Sequence, residues 1–159
     1  MQGDPQVIDF LNKALLNELT AVNQYWLHYR MLDNWGIHRL AEFERHESID
    51  EMKHADRLAE RILMLDGLPN FQALGRLRIG ENVEEILRAD LAVEHEAIPL
   101  LKEAIAHCEA VRDYVSRELL SDILKNEEEH VDMLEKQFDQ IARMGLSNYI
   151  QINSKPAGD

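Results

Sequence analysis

Glu18, Glu51 and His54 recur 76 positions further along the chain as Glu94, Glu127 and His130. Each half therefore supplies a lone Glu and, 33 residues on, a Glu-x-x-His; on a helix, residues at i and i+3 project from the same face. With 18 Glu and 7 His in 159 residues, composition alone yields about 0.8 Glu-x-x-His matches, so the motif taken singly is unsurprising. Its third member keeping the same offset, with all six residues interrupting apolar stripes, is not. A fold that uses the repeat has to bring two equivalent helix pairs face to face, so that four carboxylates and two imidazoles meet between them.

The stripes support that reading. Gly and Pro are few, and Leu, Ala, Glu, Arg and Lys dominate, which favours long helices and an all-α fold. Asp4 as N-cap and Pro5 at the first helical position predict a helix to about Asp33, interrupted at Gly36, with Leu11, Leu15, Glu18, Val22, Tyr25 and Tyr29 along its buried line. A second helix is expected from about Ile37 to Leu65, with Leu40, Phe43, Glu47, Glu51, His54, Leu58 and Ile62 aligned. The short connection makes the two antiparallel neighbours.

Residues 66–82, punctuated by Gly67, Pro69, Gly75 and Gly80, read as a long crossover. The third helix is expected from about Val83 to Glu109, opened by an Asn82/Glu85 capping box and kinked at Pro99. The fourth spans about Asp113 to Arg143 and ends at Gly145. A short amphipathic piece, Leu146 to Ile152, and a polar tail from about residue 153, expected to fray, complete a single domain over residues 1–159.

Thirty acidic residues against 17 basic give a net charge of −13, a surface that repels phosphate and attracts cations; nucleic-acid binding is not expected. No apolar run reaches membrane-spanning length, and Met1-Gln2-Gly3-Asp4-Pro5 lacks the features of a secretory signal, so a cytoplasmic location is expected. The single Cys108 suits a reducing compartment and, on an apolar stripe, reads as a core thiol.

Four carboxylates in a helical core need neutralising, because burying one unpaired ion already costs several kcal/mol. Two divalent cations do so by count, +4 against −4, and leave both His neutral. In that arrangement Glu18 and His54 cap one metal, Glu94 and His130 cap the other, and Glu51 and Glu127 bridge. Oxygen-rich ligation with one imidazole per metal suits iron or manganese, and iron is preferred; the absence of thiolate ligands argues against structural zinc. Solvated helix-face charges in i, i+4 pairs are the plain alternative, and the duplication on apolar stripes weighs against it. Two helix pairs, a long crossover and this ligand set match the established pattern of ferritin-like di-iron and di-manganese four-helix bundles.

Over about residues 1–152 the sequence resembles the bacterioferritins. The resemblance is carried by Asn17-Glu18-Leu19, by His46-Glu47-Ser48-Ile49-Asp50-Glu51-Met52-Lys53-His54-Ala55-Asp56 and by Asp113-Tyr114-Val115-Ser116-Arg117. It implies a ferroxidase that oxidises Fe2+ with O2 or H2O2 at a dinuclear centre held by Glu18, Glu51, His54, Glu94, Glu127 and His130. It further implies Fe3+ mineral stored in a homo-oligomeric shell of twenty-four subunits.

Met52 follows Glu51 by one residue and is therefore rotated about 100° toward the outside of the bundle. An arbitrary Met there is a gap-filler; the resemblance instead implies one axial ligand of a b-type haem shared across a two-fold interface. A neutral thioether favours the ferrous state and suits an electron conduit for reductive iron release, with a small ferredoxin as the implied reductant. Leu19, Asn23 and Trp26 are weaker candidates for the same pocket.

His46 and Asp50, at i, i+4, are candidates for an iron way-station or a solvated polar face. Asp66, Asp132 and Asp139 are weak candidates for channels between subunits. Tyr25 is expected either to hydrogen-bond a bridging carboxylate or to be a plain core residue. His28, His38, His95 and His107 belong to no spaced set. The competing functions are a dimetal oxygenase or manganese catalase on the same fold, a DNA-protecting miniferritin, and a purely structural bundle. Little chain is left over for a substrate pocket, and the complete ligand set within one chain argues against the miniferritin.

Overall fold

The computed structural model describes residues 1–158, with helices α1 Pro5–Asn34, α2 His38–Met64, α3 Val83–Ala110, α4 Tyr114–Met144 and α5 Leu146–Ile152. Among these residues there is no strand, and no helix is long and apolar enough to cross a membrane. α1 packs chiefly on α2 and α3 on α4, each pair joined by a short turn, and residues 65–82 carry the chain between the pairs. This is the four-helix bundle with one long crossover and a short C-terminal helix that the apolar periodicity predicts.

The helix ends follow local chemistry. Asp4 Oδ1 accepts the Val7 N–H at 2.9 Å with Pro5 at the start of α1, and Asp113 Oδ1 accepts the Ser116 N–H at 3.0 Å ahead of α4. Asn82 Oδ1 caps α3 through the Glu85 N–H at 2.9 Å. The expected capping box is displaced by one residue, because the Glu85 carboxylate accepts the Glu81 N–H rather than that of Asn82. Gly36 at φ 82° lets the chain leave α1 in the left-handed region. α3 runs unbroken through Pro99; the ring lies on an exposed face, where the carbonyl it deprives of a donor can be hydrated.

Two apolar clusters fill the bundle ends. One holds Val7, Leu11, Leu15, Leu58, Ile62, Leu101, Cys108, Leu120 and Ile123; the other holds Leu32, Leu40, Ile86, Leu87, Leu134 and Tyr149. The polar residues of the repeat occupy the layer between, so water is kept out from both ends. Cys108 is a buried free thiol, pushed up to about 11 by burial and the nearby Asp113, as a core thiol should be. The tail departs from expectation near its start: the Asn153 carbonyl accepts the Arg39 N–H at 2.9 Å, giving the exposed start of α2 a partner that no side chain of Ile37 supplies.

Candidate metal centre

All six residues of the repeat are buried and converge in the middle layer. Their donor atoms form two groups, Glu18–Glu51–His54–Glu127 and Glu51–Glu94–Glu127–His130, within each of which the atoms lie no more than 4.8 Å apart. Glu51 and Glu127 belong to both groups. His54 Nδ1 lies 3.3 Å from Glu127 Oε1 and 3.7 Å from both Glu18 Oε2 and Glu51 Oε2. His130 Nδ1 lies 3.0 Å from Glu51 Oε1, 3.5 Å from Glu94 Oε1 and 3.8 Å from Glu127 Oε1. One element supplies each donor or pair: α1 gives Glu18, α2 gives Glu51 and His54, α3 gives Glu94, and α4 gives Glu127 and His130.

Hydrogen bonding is incomplete throughout this layer. Glu18 Oε2, both Glu51 oxygens, Glu94 Oε2, Glu127 Oε1 and the Nδ1 atoms of both His are buried without a hydrogen-bond partner. Buried polar atoms in folded proteins are nearly always paired, so an array of orphaned oxygens and ring nitrogens pointing at common centres is the arrangement a cation completes. Carboxylate and imidazole donors with no thiolate favour iron or manganese over a soft metal.

The electrostatics tell the same story. Burial raises Glu127 well above the usual carboxylate range, and the neighbouring Glu51 and Glu94 push it further; burial also raises Glu94. Against the same burial, His130 and His54 hold Glu51 down at about 2. Burial would lower His130, but Glu47, Glu51 and Glu94 outweigh it and lift the imidazole to about 12.

Four further side chains reach the cage from outside the repeat. Glu47 Oε2 lies 2.6 Å from His130 Nε2, and Asp50 Oδ2 is 4.0 Å from the same atom. The Asn126 side-chain nitrogen lies 3.2 Å from His54 Nε2 and donates to the Asp122 carbonyl, also at 3.2 Å, which ties the imidazole to α4. Tyr25 OH donates to Glu94 Oε1 at 2.6 Å, so the expected carboxylate contact exists, but to Glu94, which belongs to one group only, and not to Glu51 or Glu127. Glu47 stands on the same helix line as Glu51, so its position was readable; Asn126 and its partner come from different helices with no shared spacing.

The remaining candidates scatter. Met52 is 44% exposed and lines an open concavity of about 630 Å3 with Ile49, Lys53, Asp56 and Arg57. Asn23 and Trp26 are exposed, whereas Leu19 packs in the core and lines no outer pocket. His46 is exposed and joins no cluster with Asp50. Asp66 pairs with the N-terminal amine at 3.4 Å, Asp132 with Lys136 at 2.6 Å, and Asp139 is exposed.

Residues 8–144 match the family model of the ferritin-like domain. The chain is 51% identical over 159 residues to a bacterioferritin of Brucella melitensis, spanning 100% of this chain and 99% of the relative. It is 47% identical over 156 residues to a bacterioferritin of Rhodobacter capsulatus, 98% of this chain and 97% of that one. It is 48% identical over 157 residues to bacterioferritin BfrA of Mycobacterium tuberculosis, 98% and 99% of the two chains. With its bundle, its crossover and its buried carboxylate–imidazole layer, the chain belongs to the bacterioferritins of the ferritin-like family.

Proposed function

We propose that this chain is an iron-storing ferroxidase whose dinuclear centre is the six-residue cage. The observation that carries the reading is the sharing of Glu51 and Glu127 by two otherwise separate donor groups, the geometry that two neighbouring cations bridged by two carboxylates require. Fe2+ is the substrate. It is drawn to a chain of net charge −13 and meets, in the middle layer, oxygens and imidazoles already aimed and buried. Two Fe2+ enter the cage and give one electron each, so that with two protons taken up O2 is reduced to H2O2, or H2O2 to two waters. A hard, anionic oxygen cage favours the higher charge of Fe3+ and so lowers the barrier to its formation. Tyr25 fixes Glu94 by its 2.6 Å hydrogen bond, and Glu47 lies on the far nitrogen of His130.

The residues around Met52 fit a haem in kind. An exposed thioether stands on a concavity with one aliphatic neighbour, Ile49, and two cations, Lys53 and Arg57, which suit a flat apolar ring with carboxylate substituents. Met52, together with its counterpart from a second copy, would hold the group there, and Lys53 and Arg57 would face its carboxylates. When bound, the haem supplies one-electron transfer. A homo-oligomeric shell of twenty-four subunits holding Fe3+ mineral, and a small ferredoxin as electron donor for its release, complete the proposal.

The test is Fe2+ loading without oxygen, followed by air. The reading expects two tightly bound Fe2+ per subunit, fast oxidation, and then continued uptake of many irons per subunit. Uptake that stops near two per subunit favours a non-storage dimetal enzyme.

A further inference from the structure

A second buried cluster of metal-binding residue types lies in the same bundle, outside the six-residue cage. His28 of α1, Glu44 of α2 and Asp90 of α3 are each 0% exposed and bring one donor atom apiece within 4.8 Å of the others. The sequence repeat does not touch it. Asp90 Oδ1 is 2.9 Å from His28 Nδ1 and accepts the Gln24 Nε2–H at 3.1 Å. Glu44 Oε1 is 3.9 Å from the same His28 nitrogen. Neither Glu44 oxygen has a hydrogen-bond partner, nor does Asp90 Oδ2.

The backbone decides between a metal and a proton here. The Gly80 N–H, which can only donate, points at His28 Nε2 at 3.0 Å, so Nε2 carries a lone pair and His28 is not an imidazolium. Its one proton is on Nδ1 and is donated to Asp90. A metal on Nδ1 would force that proton onto Nε2, donor against donor with Gly80. Gly80 cannot shift away easily, since a Cβ there would sit 2.3 Å from the Ile86 nitrogen and the backbone is tightly seated on the start of α3. With His28 neutral and Asp90 already holding two donors, an ionised Glu44 would be a second buried anion with no counter-charge, whereas a proton between Glu44 and Asp90 satisfies both orphaned carboxyl groups at once.

We infer that the His28–Glu44–Asp90 cluster is a proton-binding site closed to metals, in which Glu44 remains a carboxylic acid at neutral pH and donates to Asp90. The groups facing Glu44 agree: Tyr25 and His28 from α1, Asp90 and Glu94 from α3, Tyr149 from α5 and Glu47 on its own helix include no standing cation. Burial, then Asp90, raise its carboxyl well above the ordinary 4.5. Glu44 is thus a positioning residue. Through Asp90 and His28 it holds the Gly80 N–H, and Gln24 beside them accepts the Arg78 N–H at 3.0 Å, so one clamp with a single buried negative charge seats the crossover on α1 next to Tyr25.

The sign of the pH dependence follows. A carboxyl that stays protonated when folded but ionises at about 4.5 when unfolded lowers stability progressively as pH rises above 4.5, until the folded acid itself titrates. Glu44→Gln, isosteric and able to donate to Asp90, removes that loss. Melting temperatures of iron-free, assembled protein at pH 4 to 8 are the measurement. The proposal expects the variant to match wild type near pH 4 and to exceed it increasingly toward pH 7.5, with the apolar Glu44→Leu showing the same growth from a lower baseline. A wild-type-minus-variant infrared spectrum at pH 7 should contain the carbonyl band of a protonated carboxylic acid. A pH-independent difference in both variants, or a variant that falls further behind as pH rises, overturns it. So does an extra Fe2+ per subunit, bound without oxygen by wild type and lost in Glu44→Gln. None of the melting experiments involves iron, so their outcome is separate from that of the ferroxidase reading.

Discussion

At the scale of single residues, the protein concentrates unpaired buried charge in one layer and leaves it for a cation to complete. Glu127 shows the cost. Packed among Glu51 and Glu94 without a cation, its carboxyl is driven up by burial and by both neighbours, so neutralising it should relieve the iron-free protein. Glu127→Gln is therefore expected to stabilise the iron-free form by about 1–3 kcal/mol, read from thermal unfolding. The same change should slow initial Fe2+ oxidation by on the order of 100-fold, the scale of removing one preorganised electrostatic contact. Stability and activity moving in opposite directions mark a metal site; a loss of both would mark Glu127 as structural. Tyr25→Phe removes the hydrogen bond to Glu94 while keeping the ring in the core, and should slow oxidation by about tenfold, as outer-shell changes do, with two Fe2+ still bound.

At the scale of helices, the caps and stripes that define each element were legible because they are local. Asp4 and Asn82 act as caps where the spacing places them, whereas Asp113, expected as the first residue of the fourth helix, is its cap, and the 76-residue repeat survives because each triad sits on one helix pair. What sequence left hidden is what several elements build together. The His28–Glu44–Asp90 cluster draws on α1, α2, α3 and the crossover with no repeat to announce it, and Asn126 meets His54 from the opposite hairpin. Asp113 does double duty: besides capping α4 it takes Arg61 Nη2 at 2.9 Å, with Arg61 Nε on Ser116 Oγ at 2.8 Å. Asp113→Ala should cost about 3–5 kcal/mol, because it strands a buried guanidinium, and lower the melting temperature accordingly. Although burial opposes it, Ser116 and Arg61 lower the Asp113 carboxyl. Its contribution is therefore present above the unfolded value of 3.8 and is lost as pH falls through the lower folded value. Pro99→Ala is expected to raise stability by about 1–3 kcal/mol by restoring a helix hydrogen bond on an exposed face, with Fe2+ oxidation unchanged.

At the scale of the whole molecule, the chain leaves apolar side chains outside that a solitary subunit would not need. The crossover exposes Phe71, Leu74, Leu77, Ile79 and, at 82%, Leu68, while Trp26, Leu27 and Met52 stand out from α1 and α2. Large exposed apolar surface of this kind marks association, in keeping with a shell. Met52→Leu keeps that surface apolar and removes the sulfur, so it should abolish the haem absorption spectrum while leaving particle size and iron uptake intact. On the proposed function, one chain houses a two-iron oxidation site feeding a store. The most direct test is iron bound and oxidised per subunit, counted through stepwise Fe2+ addition in air, on wild type and on the double variant Glu51→Ala/Glu127→Ala that removes both shared carboxylates. A fast phase of two irons per subunit followed by continued uptake into a large particle is expected, with the fast phase gone in the variant. A fast phase that survives the loss of Glu51 and Glu127, or uptake that ends at two irons in a small species, would contradict it.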